Sequence, residues 1–316
     1  MPSSRTISAN GIEMFLLEQG EGPLVLLCHG WPELSYSWRH QLPALAAAGY
    51  HAVAPDMRGF GRTSAPADID AYSIFDMVGD MVALVAALKH QRAVIVGHDW
   101  GAPVAWHAAL FRPDVFSAVA GLSVPPPFRG RGRPLDTLRE SGIINFYWQY
   151  FQTPDVAERE FERDVGLTMR TLLGRGFSDP AASLFIEDGN GFLGDLSIDR
   201  PLPDWLSEAD LDYFTAAYAK SGFRGGLNWY RNLDRNWELT APWQGAQIAR
   251  PSLFIAGAND SVVTGLIGAK RVTEMDRVLP NLRRKLIIDG AGHWIQQERA
   301  DEVNAALIAF LRECAD

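Results

Sequence analysis

Cysteine is almost absent from this chain, with Cys28 and Cys314 as the two among 316 residues. Two thiols build neither a disulfide framework nor a cysteine-ligated zinc site, so the sequence reads as a reduced, cytoplasmic protein. No apolar run approaches the ~18 residues that span a bilayer, and residues 1–10 lack the apolar stretch of a signal peptide. Positive charge is also scarce: 29 Lys and Arg stand against 38 Asp and Glu, a net charge of -9. That balance excludes the basic footprint that nucleic acids and anionic membranes require. The stretch Arg129-Gly130-Arg131-Gly132-Arg133 is short and isolated in an acidic chain, which predicts a solvated connector. Internal repeats and low-complexity tracts are missing too. What remains is an ordinary globular composition, 47% hydrophobic and 21% charged. Its length points to one large α/β domain with an insertion, or to two domains, and says nothing of oligomeric state.

Periodicity gives the layout. Strands at about residues 6–9 and 13–17 flank Asn10-Gly11, a strong hairpin signal, so the sheet should start antiparallel. Leu24-Val25-Leu26-Leu27-Cys28 is continuously apolar, as in a strand covered on both faces. A helix over 38–48 stops at Gly49 before a strand at 51–54. Met77, Met81, Leu84, Val85 and Leu88 repeat at helical spacing within 74–89, and strands follow at 93–96 and 116–124. The alternation predicts a mostly parallel sheet with right-handed crossovers. It stops at Pro125 and resumes with a strand at 251–256, a helix at 262–275, a strand at 284–288 and a helix at 300–313. The aromatic-rich stretch between has helical patterns and no convincing strand. This predicts a core of residues 1–125 and 248–316, with an inserted helical cap over 126–247.

The predicted strand ends carry the chemistry. Gly97-His98-Asp99-Trp100-Gly101 joins a β-branched run to a small-residue helix in the form of a nucleophile elbow, with Asp99 where many hydrolases carry Ser. Alone, Asp99 could equally be the N-cap of a plain strand-to-helix turn. Two further strand ends deliver Asp260 and His293, each with its own plain alternative, a helix cap and a packed loop histidine. Carboxyl ends of parallel strands converge on one face, and the order nucleophile, acid, histidine is that of an α/β-hydrolase triad. His29-Gly30-Trp31-Pro32-Glu33 lies where this fold places an oxyanion-hole donor. The N–H groups of Trp31 and Trp100 are the candidates. The loop from Asp56 to Thr63 reads as structural support.

Taken together, His29 to Glu33, Ser35-Tyr36-Ser37-Trp38-Arg39, Asp56 to Gly61, Gly97 to Gly101, residues 222–232 ending Asn228-Trp229-Tyr230-Arg231-Asn232, and Gly292 to Glu298 resemble the soluble epoxide hydrolases of the α/β-hydrolase superfamily. The resemblance runs over nearly the whole chain, although most sheet motifs are shared with haloalkane dehalogenases. It implies two cap tyrosines that bind the epoxide oxygen. One falls at Tyr230, the other at Tyr147, with Tyr150 as the nearby alternative. It also implies a cis Trp31–Pro32 bond.

The residue types suit that reaction. A carboxylate with a free pKa of about 4 attacks the strained ring without prior deprotonation, whereas a phenol with a pKa of about 10 keeps a proton to donate. The resulting Asp99 ester would then be hydrolysed by water that His293, oriented by Asp260, activates. Neither metal nor organic cofactor is expected, and the partners are a small apolar epoxide and water. A haloalkane or haloacid dehalogenase would use the same Asp-His-Asp set with side-chain N–H donors for halide. Trp100 could supply one, while Trp31 offers only an indole. A non-catalytic ligand receptor on the same fold is the remaining alternative, and the intact nucleophile, acid and base argue against it.

Overall fold

The computed structural model describes residues 2–127, 129–174, 184–186, 189–194 and 201–314. An eight-stranded sheet organises it: β1 (Ser3–Ala9), β2 (Ile12–Gln19), β3 (Leu24–Cys28), β4 (His51–Pro55), β5 (Ala93–His98), β6 (Phe116–Leu122), β7 (Ser252–Gly257) and β8 (Leu282–Ile288), in the order β1-β2-β4-β3-β5-β6-β7-β8. The first two strands run antiparallel, joined through Asn10 and Gly11, both at positive φ, and every pairing from β4 to β8 is parallel. β3 is wholly buried because both faces of the sheet are covered. Leu24, Leu26, Ile95 and Val119 pack under α2 (Ile74–Ala87) and α3 (Gly101–Phe111). Their neighbours Val25, Leu27, Val96 and Ala120 pack on the other face under α1 (Gln41–Ala47) and the C-terminal helix Ala300–Glu313. Each such Val, Leu or Ile side chain contributes about 1.5–3 kcal/mol on burial.

Helices fill the described residues between β6 and β7: α4 (Pro134–Glu140), α5 (Tyr147–Tyr150), α6 (Val156–Glu162), α7 (Val165–Gly174), α8 (Glu208–Ser221), α9 (Arg224–Arg231) and α10 (Leu233–Leu239). Among the described residues, extended pairing in this stretch is limited to one bridge, Phe146 to Phe185. The apolar residues of this layer, including Tyr147, Phe151 and Tyr230, join the cluster on the α2–α3 face of the sheet.

Three local expectations need correction. The helix expected over 38–48 begins later, at Gln41, after a 3-10 turn over Ser35–Trp38. The helix expected over 262–275 is broken at Gly265 into α11 (Ser261–Thr264) and α12 (Leu266–Glu274). The two pieces cross so tightly that a Cβ on Gly268 would lie 1.8 Å from the Val262 carbonyl oxygen. Arg129 is not simply solvated: its guanidinium lies 3.9 Å over the Trp237 ring and its Nε donates to the Trp237 carbonyl. Among the described residues, no helix is long and apolar enough to cross a membrane.

Candidate active site

β5 delivers Asp99 with a left-handed backbone, φ 49°. That conformation costs a non-glycine residue about 1–2 kcal/mol, so the turn must be held by its surroundings. The flanking glycines explain how. A Cβ on Gly97 would lie 2.0 Å from the Gly101 carbonyl oxygen, and one on Gly101 would lie 2.0 Å from that of Cys28. Only a strand, turn and helix stripped of side chains at both points can come this close. Ala102, Ala105 and Ala108, themselves buried, then let α3 lie close on the sheet.

Asp99 is not a helix cap. Its Oδ1 accepts the Trp31 N–H at 2.7 Å, and its Oδ2 lies 3.3 Å from His293 Nε2. The Trp31–Pro32 bond is cis. Gly30 is required beside it, since a Cβ there would sit 2.2 Å from Asp99 Oδ1. Trp100, the other expected oxyanion donor, opens α3 directly after Asp99 and turns its ring edge-on to Tyr230 at 5.0 Å.

The alternatives posed for Asp260 turn out not to exclude each other. Its Oδ1 caps α11 by accepting the Val262 N–H at 2.8 Å, while its Oδ2 faces His293 Nδ1 at 2.9 Å. Capping fixes the carboxylate that orients the histidine. Burial lowers the affinity of the His293 imidazole for a proton, but the carboxylates of Asp260 and Asp99 outweigh it and raise its pKa to about 10. The resting imidazole is therefore a cation between two carboxylates.

The two tyrosines expected to bind the epoxide oxygen, Tyr147 and Tyr230, are both near enough to feel the charge of Asp99. Tyr230 lies on α9, whose entry is pressed onto the core. A Cβ on Gly225 would lie 2.0 Å from the Gly59 carbonyl oxygen, and one on Gly226 would lie 2.5 Å from Trp31 Cδ1. Tyr147 opens α5, and the two phenol rings are 5.8 Å apart at 70°. Burial, with smaller contributions from neighbouring charge, pushes both phenols above their ordinary pKa, so they remain protonated donors. Tyr150 is differently engaged, with its hydroxyl donating to Glu160 at 2.7 Å.

Comparison with known proteins is consistent along the chain. The family pattern described as alpha/beta hydrolase fold matches residues 23–300. Epoxide hydrolase A of Mycobacterium tuberculosis is 45% identical over 98% of this chain and 97% of its own. Epoxide hydrolase 1 of Siraitia grosvenorii is 42% identical over 98% and 97%. The chain belongs to the epoxide hydrolases of the α/β-hydrolase superfamily. The crystal structure of epoxide hydrolase A from Mycobacterium thermoresistibile superposes with a TM-score of 0.93 at 48% identity, covering 99% of this chain and 98% of that one.

This epoxide hydrolase also contains a buried polar group that the sequence reading passed over. Glu33 and His98, both with no exposed surface, meet at 2.6 Å between Oε2 and Nδ1. Gln296 and Gln297 donate to Glu33 Oε1, and Ser123 donates its hydroxyl to the His293 carbonyl at 2.7 Å. The one available signal was a carboxylate and a histidine inside otherwise apolar or glycine-rich strand ends.

Proposed function

We propose that this epoxide hydrolase works through a covalent ester on Asp99, with the triad on a core of residues 1–125 and 248–316 and the tyrosines on a helical cap of residues 126–247. The observation that carries the reading is His293 held between Asp260 and the elbow carboxylate of Asp99. An Asp99 oxygen attacks a ring carbon, the carbon–oxygen bond breaks, and the departing alkoxide takes a proton from the phenols of Tyr147 and Tyr230. Esterification removes the charge of Asp99, one of the two groups that hold the imidazole proton. His293 then gives that proton to the phenolate and becomes a neutral base.

In the second step the imidazole takes a proton from water as its oxygen attacks the ester carbonyl carbon. The N–H groups of Trp31 and Trp100 stabilise the oxyanion. Collapse expels the diol alkoxide, which is protonated by the imidazolium, and the new carboxyl group of Asp99 returns a proton to His293. Asp99 in place of Ser makes sense here, because only a carboxylate regenerates itself through its own carbonyl.

Aromatic rings support an apolar substrate. Trp31 touches Phe151, Phe161, Phe192 and Tyr230 at centroid distances of 5.5 to 6.3 Å. The scarcity of cysteine supports a cytoplasmic setting. A single turnover in heavy-oxygen water tests the route. The first diol should carry oxygen from the protein and the solvent label should enter Asp99; label in the first diol instead would make Asp99 a general base.

A further inference from the structure

Among the described residues of the cap, Arg231, which follows Tyr230, is a heavily engaged polar side chain. Its side chain is 3% exposed and pairs with Glu158, 5% exposed, through Nη1 at 2.8 Å and Nη2 at 3.0 Å. The remaining donors reach three more acceptors: Nε to the Phe151 carbonyl at 3.0 Å, Nη1 to Asn228 Oδ1 at 2.9 Å and Nη2 to the Thr153 carbonyl at 3.4 Å. Four hydrogen bonds and the ion pair to Glu158 thus use all three nitrogens of the fork, a geometry that a planar guanidinium supplies.

The acceptors matter more than their number. Phe151 is the residue whose N–H bonds the Tyr147 carbonyl, closing α5. Gln152 reciprocates by donating its Nε2 to the Tyr230 carbonyl at 3.1 Å. Between these bonds the Phe151 ring fills the angle between the phenols, 5.4 Å from Tyr147 and 5.0 Å from Tyr230. α5 is a single turn of four residues and cannot hold its own position.

We infer that Arg231 is a positioning residue for ring opening: its guanidinium ties the C-terminal end of α5 to α9 and so sets the spacing of the Tyr147 and Tyr230 phenols. Ester hydrolysis needs neither phenol in its rate-determining geometry and is insensitive to this tie. The inference rests on the tyrosine pair proposed above.

The test resolves the two half-reactions by rapid quench and intact-protein mass spectrometry, using a reactive aryl epoxide. Arg231→Lys keeps the charge beside Glu158 but cannot bond Phe151, Asn228 and Thr153 together. It should slow ester formation by about 100-fold, the scale of an ångström-sized misplacement, with ester hydrolysis at the wild-type rate. Arg231→Met with Glu158→Gln removes both charges at once and guards against a folding failure caused by an orphaned Glu158. It should show the same selective loss. Gln152→Ala, which cuts one link, should show a smaller loss of the same kind. Wild-type ester formation in Arg231→Lys, or equal slowing of both steps, overturns the inference. Tyr147→Phe is run alongside. If it slows ester formation and Arg231→Lys does not, the tie alone is wrong; if neither does, the tyrosine reading falls first and the tie with it.

Discussion

His98 donates the N–H of Nε2 to the main-chain carbonyl of His293 across 2.7 Å. A carbonyl can only accept, and the other ring nitrogen faces the Glu33 carboxylate, so the geometry calls for protons on both nitrogens of His98. The loop that carries His293 is thus pinned from beneath by a buried ion pair. Burial alone would raise the Glu33 pKa, but the His98 charge and hydrogen bond reverse this and lower it to about 2.

Glu33→Ala should therefore be strongly destabilising, because it strips His98, Gln296, Gln297 and the Gly30 N–H of their shared acceptor. Breaking a buried pair costs about 3–5 kcal/mol, and in a chain of this size the melting temperature should fall by roughly 5–8 °C. The pH dependence has a definite sign. A carboxyl whose folded pKa is about 2 against an ordinary 4.5 stabilises the fold above 4.5 and loses that contribution as the pH falls toward 2. The stability gap between wild type and Glu33→Gln should narrow over that window. A gap that stays constant there would mean that Glu33 is not the charged partner.

How much of this was legible depended on the range of the interaction. The bounds of β3 and of the C-terminal helix are legible because their signals are local, an unbroken apolar run and an amphipathic repeat. Asp99, Asp260 and His293 were legible because parallel strands bring their carboxyl ends together whatever the details. Glu33 and His98 were not, since 65 residues separate them and nothing local marks either as a pair. The break at Gly265 was missed for a different reason. A glycine inside a helical pattern is tolerated at a cost of about 1 kcal/mol and does not by itself mark a break, which here shows only in the crossing of α11 over α12 at Gly268.

The tyrosines should behave as a pair. General acid catalysis supplies about 10²–10⁴-fold, so Tyr147→Phe or Tyr230→Phe alone should slow ring opening by about 100-fold or less, and the double variant by up to ~10⁴-fold. Tyr150→Phe should remain near wild type, because its hydroxyl is spent on Glu160. Single-turnover rates for the four proteins decide between Tyr147 and Tyr150, and full activity in the double variant would remove the cap from the chemistry.

Acid should make the ester accumulate. In the free enzyme His293 titrates at about 10, so its charged form stabilises the fold fully below 6.5 and loses that contribution as the pH rises through 10. In the ester the charge of Asp99 is gone, which moves the imidazole pKa back down. Hydrolysis needs the neutral ring, whereas ring opening starts from the cation. Under excess epoxide, the fraction of protein carrying substrate mass should rise as the pH is lowered past that of the ester form. An ester fraction independent of pH would contradict the assignment of His293 as the second-step base.

Removing that base separates the half-reactions outright. His293→Gln keeps hydrogen-bonding capacity near Asp260 and leaves Asp99 free to attack, but it provides no group to deprotonate water. With an epoxide, intact-protein mass should increase by the whole substrate mass, and peptide mapping should place the gain on Asp99. A haloalkane handled by the same carboxylate would add the substrate less hydrogen halide, so the size of the increment also distinguishes the two chemistries. Loss of the imidazolium removes the proton that balances alkoxide release, so alkylation in this variant should be slower than in wild type and should quicken as the pH is lowered. If the variant gains no mass with any reactive epoxide at any pH where it stays folded, Asp99 is not the nucleophile, and the 3.3 Å contact between Asp99 and His293 must serve direct activation of water instead.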